Sequence, residues 1–326
     1  MWNWVRRLLF GRPREVQGAR AGHGGEAPCA GRDGPNEKRD AAGAGWDAAE
    51  EGEFLTLLDD PGDAVALDDL GPDDRLFLSG VLRLVRERKL EIPVLPQAAI
   101  EVSRLLAQGD PPIGRYVEVL EKDPGLSVEV LRTANSAFYG FRRPAKGLRE
   151  AVVRLGLHPV RGLLVMAHLR SRVLRGGPFQ EQAGWLNDLS LALARVFRTL
   201  APDLGMDPDE ASTRGLLFHV EHFVILGALG AIQTAARRPL NPSNRALAEA
   251  FRRCGTTVRE LAAAAWKLPV LRPDPDLDLR LRAVRRAVVR SWLGQPGGEV
   301  PGVDPARLSE ALARTARPAG AEAATG

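Results

Sequence analysis

Between Leu76 and Trp292 the apolar residues recur at three- and four-residue spacing, and nowhere do they alternate over a run bounded by tight turns. Phe77, Val81, Leu84 and Val85 make one stripe, Ile113, Val117 and Leu120 a second, and Val160, Leu163, Leu164 and Ala167 a third. That period gathers each set on one face of a helix and leaves a sheet nothing to be built from, so the expected fold is an all-α, multi-helix bundle. Local signals agree. Asp207-Pro-Asp-Glu210 and Thr257-Val-Arg-Glu260 have the capping-box form, in which a cap oxygen and a third-position carboxylate satisfy exposed amides reciprocally. Pro96 suits a first turn, and Gly156 and Gly255 suit helix C-termini. With 326 residues and 44% hydrophobic content, the chain can bury a substantial core.

The flanks read differently. Residues 1–10 form a short amphipathic stretch containing Trp2, Trp4, Arg6 and Arg7, too short to bind a membrane surface strongly. Residues 11–74 are expected to be a disordered linker: Gly, Ala, Arg and Pro dominate its first part, and an acidic segment with Asp59, Asp60, Asp63, Asp68, Asp69, Asp73 and Asp74 ends it. The helical domain then spans 75–293. Residues 294–326 are expected to be a flexible tail with a marginal helical stretch, Asp304 to Ala316. In the last strong helix, from Leu277, the residues Arg282, Arg285, Arg286 and Arg290 read as a solvated face.

Composition narrows the class. The two cysteines, Cys29 and Cys254, have no paired spacing, which fits a reducing cytoplasm. The longest apolar run, Phe223 to Ile232, is about half of the roughly 20 residues a membrane span needs, so it reads as a core helix, and no transmembrane segment or export signal is expected. Of 45 basic residues all but five are arginine, but the net charge is only +4, so the arginine-rich faces are expected to attract anionic surfaces or nucleic acid weakly.

One stretch is more specific. In Asp123 to Gly140, DPGLSVEVLRTANSAFYG, Asp123 caps and Pro124 opens a helix that the Asn135-Ser136 ending breaks, with Tyr139 and Gly140 beyond it. Asn135 and Ser136 are read as structural, bonding local backbone at the helix end. Together with IPVLPQAAIEVSRLL (92–106) and LREAVVRLGLHPVRGLLV (148–165), this stretch resembles the HDOD family, the HD-related output domains of bacterial signalling proteins.

The resemblance implies a place to look for chemistry. HD-type phosphohydrolases hold divalent metal with histidines and a consecutive His-Asp pair, because imidazole and carboxylate together fix a metal and activate its water. The family pattern has a Trp-x-His-Ser, a Gly-Leu-Leu-His-Asp, and a histidine some fourteen residues before a Trp-x-Leu-Pro. Here Trp185-Leu186-Asn187-Asp188 puts Asn187 at the first ligand, and Gly215-Leu216-Leu217-Phe218-His219 puts Phe218 and His219 at the pair. Sliding by one residue aligns His219 with the His but Val220 with the Asp. Counting back fourteen residues from the proline of Trp266-Lys267-Leu268-Pro269 reaches Gly255. These residue types do not make a hydrolytic metal centre, so no metal, cofactor or catalytic residue is expected. His219 and His222, three apart on one helix face, could clip a metal but are read as structural, His219 buried and hydrogen-bonded or His222 half exposed. The leading expectation is a non-enzymatic signalling or scaffold module that binds a protein partner. The alternative is a metal-dependent phosphodiesterase or nucleotide phosphohydrolase with a remodelled site.

Overall fold

An Asp-Pro step opens helix after helix in this chain. The carboxylate of Asp123 accepts from the Leu126 amide, that of Asp207 from Asp209 and Glu210, that of Asp274 from Leu277 and that of Asp304 from Ala306, and each aspartate is followed by a proline at the first helical position. The computed structural model describes residues 48–59, 62–109, 111–136, 139, 143–173 and 179–315. In order the helices are α1 (Ala48–Asp59), α2 (Pro72–Arg86), α3 (Gln97–Ala107), α4 (Ile113–Glu121), α5 (Pro124–Ala134), α6 (Leu148–Leu155), α7 (Leu157–Val173), α8 (Gln180–Thr199), α9 (Ala201–Leu204), α10 (Pro208–Leu216), α11 (Val220–Ala236), α12 (Asn244–Trp266), α13 (Pro275–Trp292) and α14 (Pro305–Ala313). Among the described residues there is no strand, and the fold is all-α.

Helices α8 and α11 are buried on most sides. From Phe223 to Ile232 only Gly227 and Gly230 face solvent in number, and both are small. Pro208–Ala236 is long and apolar enough to cross a membrane by length and composition, but 83% of its most apolar window is buried inside the fold, as befits a core helix. The tightest helix contact is between α8 and α10. A Cβ placed on Gly215 would lie 2.4 Å from the Ala194 backbone, so only glycine permits this approach. The first and last family-like stretches are joined by one bond: the Trp266 indole donates to the Pro93 carbonyl at 2.7 Å.

Several expectations fail. Gly255 does not end a helix and Thr257-Val-Arg-Glu260 does not start one; both lie inside α12. Its buried stripe, Leu247, Phe251, Cys254, Val258 and Ala262, runs straight through, and burying that face outweighs the local glycine. Residues 48–59 and 62–74 do not read as the expected linker: 48–59 form α1, and α2 begins at Pro72. Phe54, Leu55 and Leu58 recur at helical spacing, and Phe54 packs on Trp185 with ring centroids 5.5 Å apart. Three of the aspartates there have partners: Asp59 meets Arg285 and Arg286, Asp73 meets Arg238 and the Asn241 amide, and Asp74 accepts from Ser243. Residues 294–315 are likewise docked, through buried Val300, Val303, Leu308 and Ala311 and an Arg307–Asp203 pair. Arg285 is not on a solvated face; its side chain is 11% exposed. The expectations for residues 1–47, including Cys29, and for 316–326 lie outside the described residues.

Gly215→Ala is expected to cost about 3 kcal/mol or more in urea unfolding, because overpacking here pushes on backbone rather than on a flexible side chain. Gly230→Ala, with open space around its Cβ on exposed α11 surface, should instead stabilise by roughly 0.5–1 kcal/mol.

Candidate functional site

The Gly215–Ala194 contact fixes the end of α10, and the three-residue turn that follows, Leu217 to His219, delivers three landmark residues into the core. The Phe218 ring meets Phe197 edge-on at 5.7 Å between centroids, and the Arg259 guanidinium carbon lies 5.4 Å from the Phe218 centroid. His219 is fully buried, with Nδ1 3.1 Å from the Ser190 hydroxyl. Glu221, on the first turn of α11, takes two hydrogen bonds from Arg259 of α12, at 3.1 and 2.7 Å, while the same guanidinium donates to the Phe218 carbonyl at 2.8 Å. His222 packs on Phe251 at 4.1 Å between centroids, and its Nδ1 lies 3.3 Å from Glu221.

These environments set the charges. Burial, reinforced by His222 and Arg285, holds the His219 imidazole well below its ordinary range, so it is neutral. Burial also lowers His222, although Glu221 pulls the other way, and the two neighbouring imidazoles are then uncharged. Burial raises Glu221, but the Arg259 charge and the bonds from His222 and Arg259 prevail and hold it below its ordinary 4.5. The result is a carboxylate and a guanidinium locked together, with Glu221 6% and Arg259 14% exposed.

The landmark positions do not converge on one centre. Asn187 on α8 bonds its neighbour Asp188 at 3.3 Å and lines a cavity of about 10 Å³ with Thr133, Ser190 and Leu216, room for about one water. Phe218 and Gly255 line a second cavity, of about 280 Å³, on the side facing α1, α12 and α13. His219 lies buried beside Ser190 and lines neither. His222, read as half exposed in one alternative, is buried. A divalent metal does not fit this donor set. Phe218 and Gly255 offer no donor and Glu221 is already paired with a cation, which leaves two imidazoles, His219 and His222, too few to hold a divalent ion by themselves. Among the described residues no three His, Cys, Asp or Glu side chains are grouped to hold a metal. Cys254 offers no nucleophile, since burial pushes its thiol up to about 11.

The signature stretch lies elsewhere. Asp123 caps α5 behind Pro124, and Ser136 donates to the Thr133 carbonyl at 2.7 Å. The Asn135 amide closes a two-bond ring with the Ala145 backbone, at 3.2 and 2.6 Å. Tyr139, its phenol raised to about 12 chiefly by burial, reaches Ser212 of α10. Gly140 lies outside the described residues. Sequence reading missed Arg259, Asp59 and Asp188, the last raised to about 6 by burial. Arg259 was within reach: it lies one turn beyond Gly255, on the same face, once that helix is read as continuous.

The family model described as HDOD domain matches residues 92–271. Among solved structures, a "Putative metal-dependent phosphohydrolase" from Shewanella amazonensis SB2B aligns with a TM-score of 0.54 at 17% identity, over 75% of this chain and 97% of that one, a likeness of fold. A "Putative phosphohydrolase" from the same organism aligns with a TM-score of 0.49 at 26% identity, over 72% and 93%. Eighty residues are 30% identical to an uncharacterized protein of Treponema pallidum (strain Nichols), covering 24% of this chain and 16% of that relative.

Removing one partner of the buried pair strands the other, so Arg259→Ala should lose about 3–5 kcal/mol in denaturant unfolding, whereas Glu221→Leu with Arg259→Met should stay close to the parent. The pH dependence has a definite sign. Because the folded value of Glu221 is depressed, its contribution is complete above pH 4.5 and is lost as pH falls below that. Glu221→Gln should flatten this acid limb of the stability curve; an unchanged limb would show that other carboxylates produce it.

Proposed function

The chain belongs to the HDOD family, and from that membership we propose that it is a signalling module that works by binding a protein partner and not by metal-dependent hydrolysis. One observation carries this reading. At the position where the family pattern places a His-Asp pair, the chain has Phe218 and His219, and the adjoining carboxylate, Glu221, is neutralised by the guanidinium of Arg259. A covalently attached cation supplies the positive charge there, so the carboxylate has no call for a metal, and the neutral His219 is held by Ser190.

With hydrolysis set aside, an HDOD helical bundle acts through its surface. Val128 on α5 and Val153 on α6 are among the few large apolar side chains left exposed, and α5 packs against α6. Those two helices flank the loop held by Asn135, the best-marked stretch of the family resemblance, and they are the face on which a partner is sought.

Purified protein equilibrated with manganese, iron or zinc should carry no stoichiometric metal and should turn over neither cyclic dinucleotides nor (p)ppGpp. Affinity capture should return the same protein reproducibly, and Val128→Asp with Val153→Asp should abolish that capture while leaving the unfolding free energy within about 0.5 kcal/mol of the parent. Metal-dependent turnover abolished by His219→Ala would replace this reading with a remodelled phosphohydrolase.

A further inference from the structure

The second cavity, about 280 Å³ in volume, has five arginines in its lining, Arg252, Arg259, Arg282, Arg285 and Arg286, against three carboxylates, Asp59, Glu221 and Asp278. The pairing among them is unequal. Arg259 is committed to Glu221 and Arg252 to Glu249, whereas Arg285 and Arg286 share the single carboxylate of Asp59, at 3.3 and 3.2 Å. Arg282 has no ion-pair partner within 4 Å among the described residues. Arg285 is the most telling of the five. Its side chain is 11% exposed, Nη1 donates to the Leu58 carbonyl at 3.0 Å, and Nε is buried with no acceptor among the described residues. A buried guanidinium N–H without an acceptor is costly, and like charges at Arg282 and Arg286 add to that cost.

We propose that this cavity is the binding site of a small phosphate-bearing molecule, recognised by Arg282, Arg285 and Arg286. Asp59 already gives one negative charge to two arginines, so the surplus calls for a ligand that carries more than one charge and several acceptor oxygens, which phosphate does. A volume of about 280 Å³ lies at the small end of ligand pockets, which admits a small metabolite and excludes a folded polymer. Leu57, Phe251 and Pro273 give the rest of such a molecule an apolar wall. Because Leu58 and Asp59 end α1 on the same arginines, an occupant of the cavity would touch the segment that closes over the core, which gives the module an input of its own.

Isothermal titration of the full chain with pyrophosphate at fixed ionic strength tests this without any protein partner, so its outcome is independent of partner capture. One-to-one saturable binding is expected. Arg282→Gln, at an exposed side chain outside the packing of α1, should weaken it about ten-fold or more, whereas Arg115→Gln on α4 should leave it unchanged. Arg285→Ala should abolish binding but could also loosen α1, which is why Arg282 decides. Absence of saturable heat, or equal weakening by Arg282→Gln and Arg115→Gln, would overturn the site, the latter by reducing it to diffuse attraction.

Discussion

The approach of Gly215 to the backbone of Ala194 is the constraint on which the site depends. With no side chain between them, α8 and α10 touch backbone to backbone, and the chain must then turn within three residues before α11 begins. That turn leaves Phe218 against Phe197, His219 against Ser190 and Glu221 at the first turn of a buried helix. A methyl group at position 215 would push the two helices apart and move all three together. The glycine of the Gly-Leu-Leu landmark is therefore explained by packing, whatever chemistry follows it.

The buried Glu221–Arg259 pair is the second determinant, and its role is not chiefly stability. Desolvation of two charges offsets most of their attraction, so such a pair contributes little net free energy while being costly to break. What it does is fix geometry. Arg259 bonds Glu221 and the Phe218 carbonyl at once and lies over the Phe218 ring, tying α12 to the turn before α11. A site arranged this way is rigid and internally neutral, and the charge left over lies further out, among the arginines of α13 and the end of α1.

Those arginines also account for how the flanking segments are held. Arg285 donates to the Leu58 carbonyl, Arg253 to the Val65 carbonyl and Arg195 to the Arg314 carbonyl, so long cationic side chains from the central helices reach out and satisfy backbone oxygens of the segments that wrap them. An arginine-rich composition, expected from the sequence to attract anionic surfaces weakly, is used in the fold as a set of clamps.

The sequence alone determined the all-α class, the Asp-Pro helix starts and the presence at Asn187, Phe218 and Gly255 of residue types that do not make a hydrolytic metal centre, because periodicity, capping and side-chain chemistry are local properties. It misplaced what depends on burial. Gly255 looked like a helix end, since a glycine disfavours helix by itself, but the buried stripe on either side carried α12 through it. Asp59 and Asp73 looked solvated, since charge normally faces water, but their arginine partners lie more than a hundred residues away in the chain. The separation of Asn187 from Phe218 into different cavities, the pairing of Glu221 with Arg259 and the crowding of arginines beside Asp59 were decided only by tertiary structure, because each is a relation between helices that no spacing along the chain encodes.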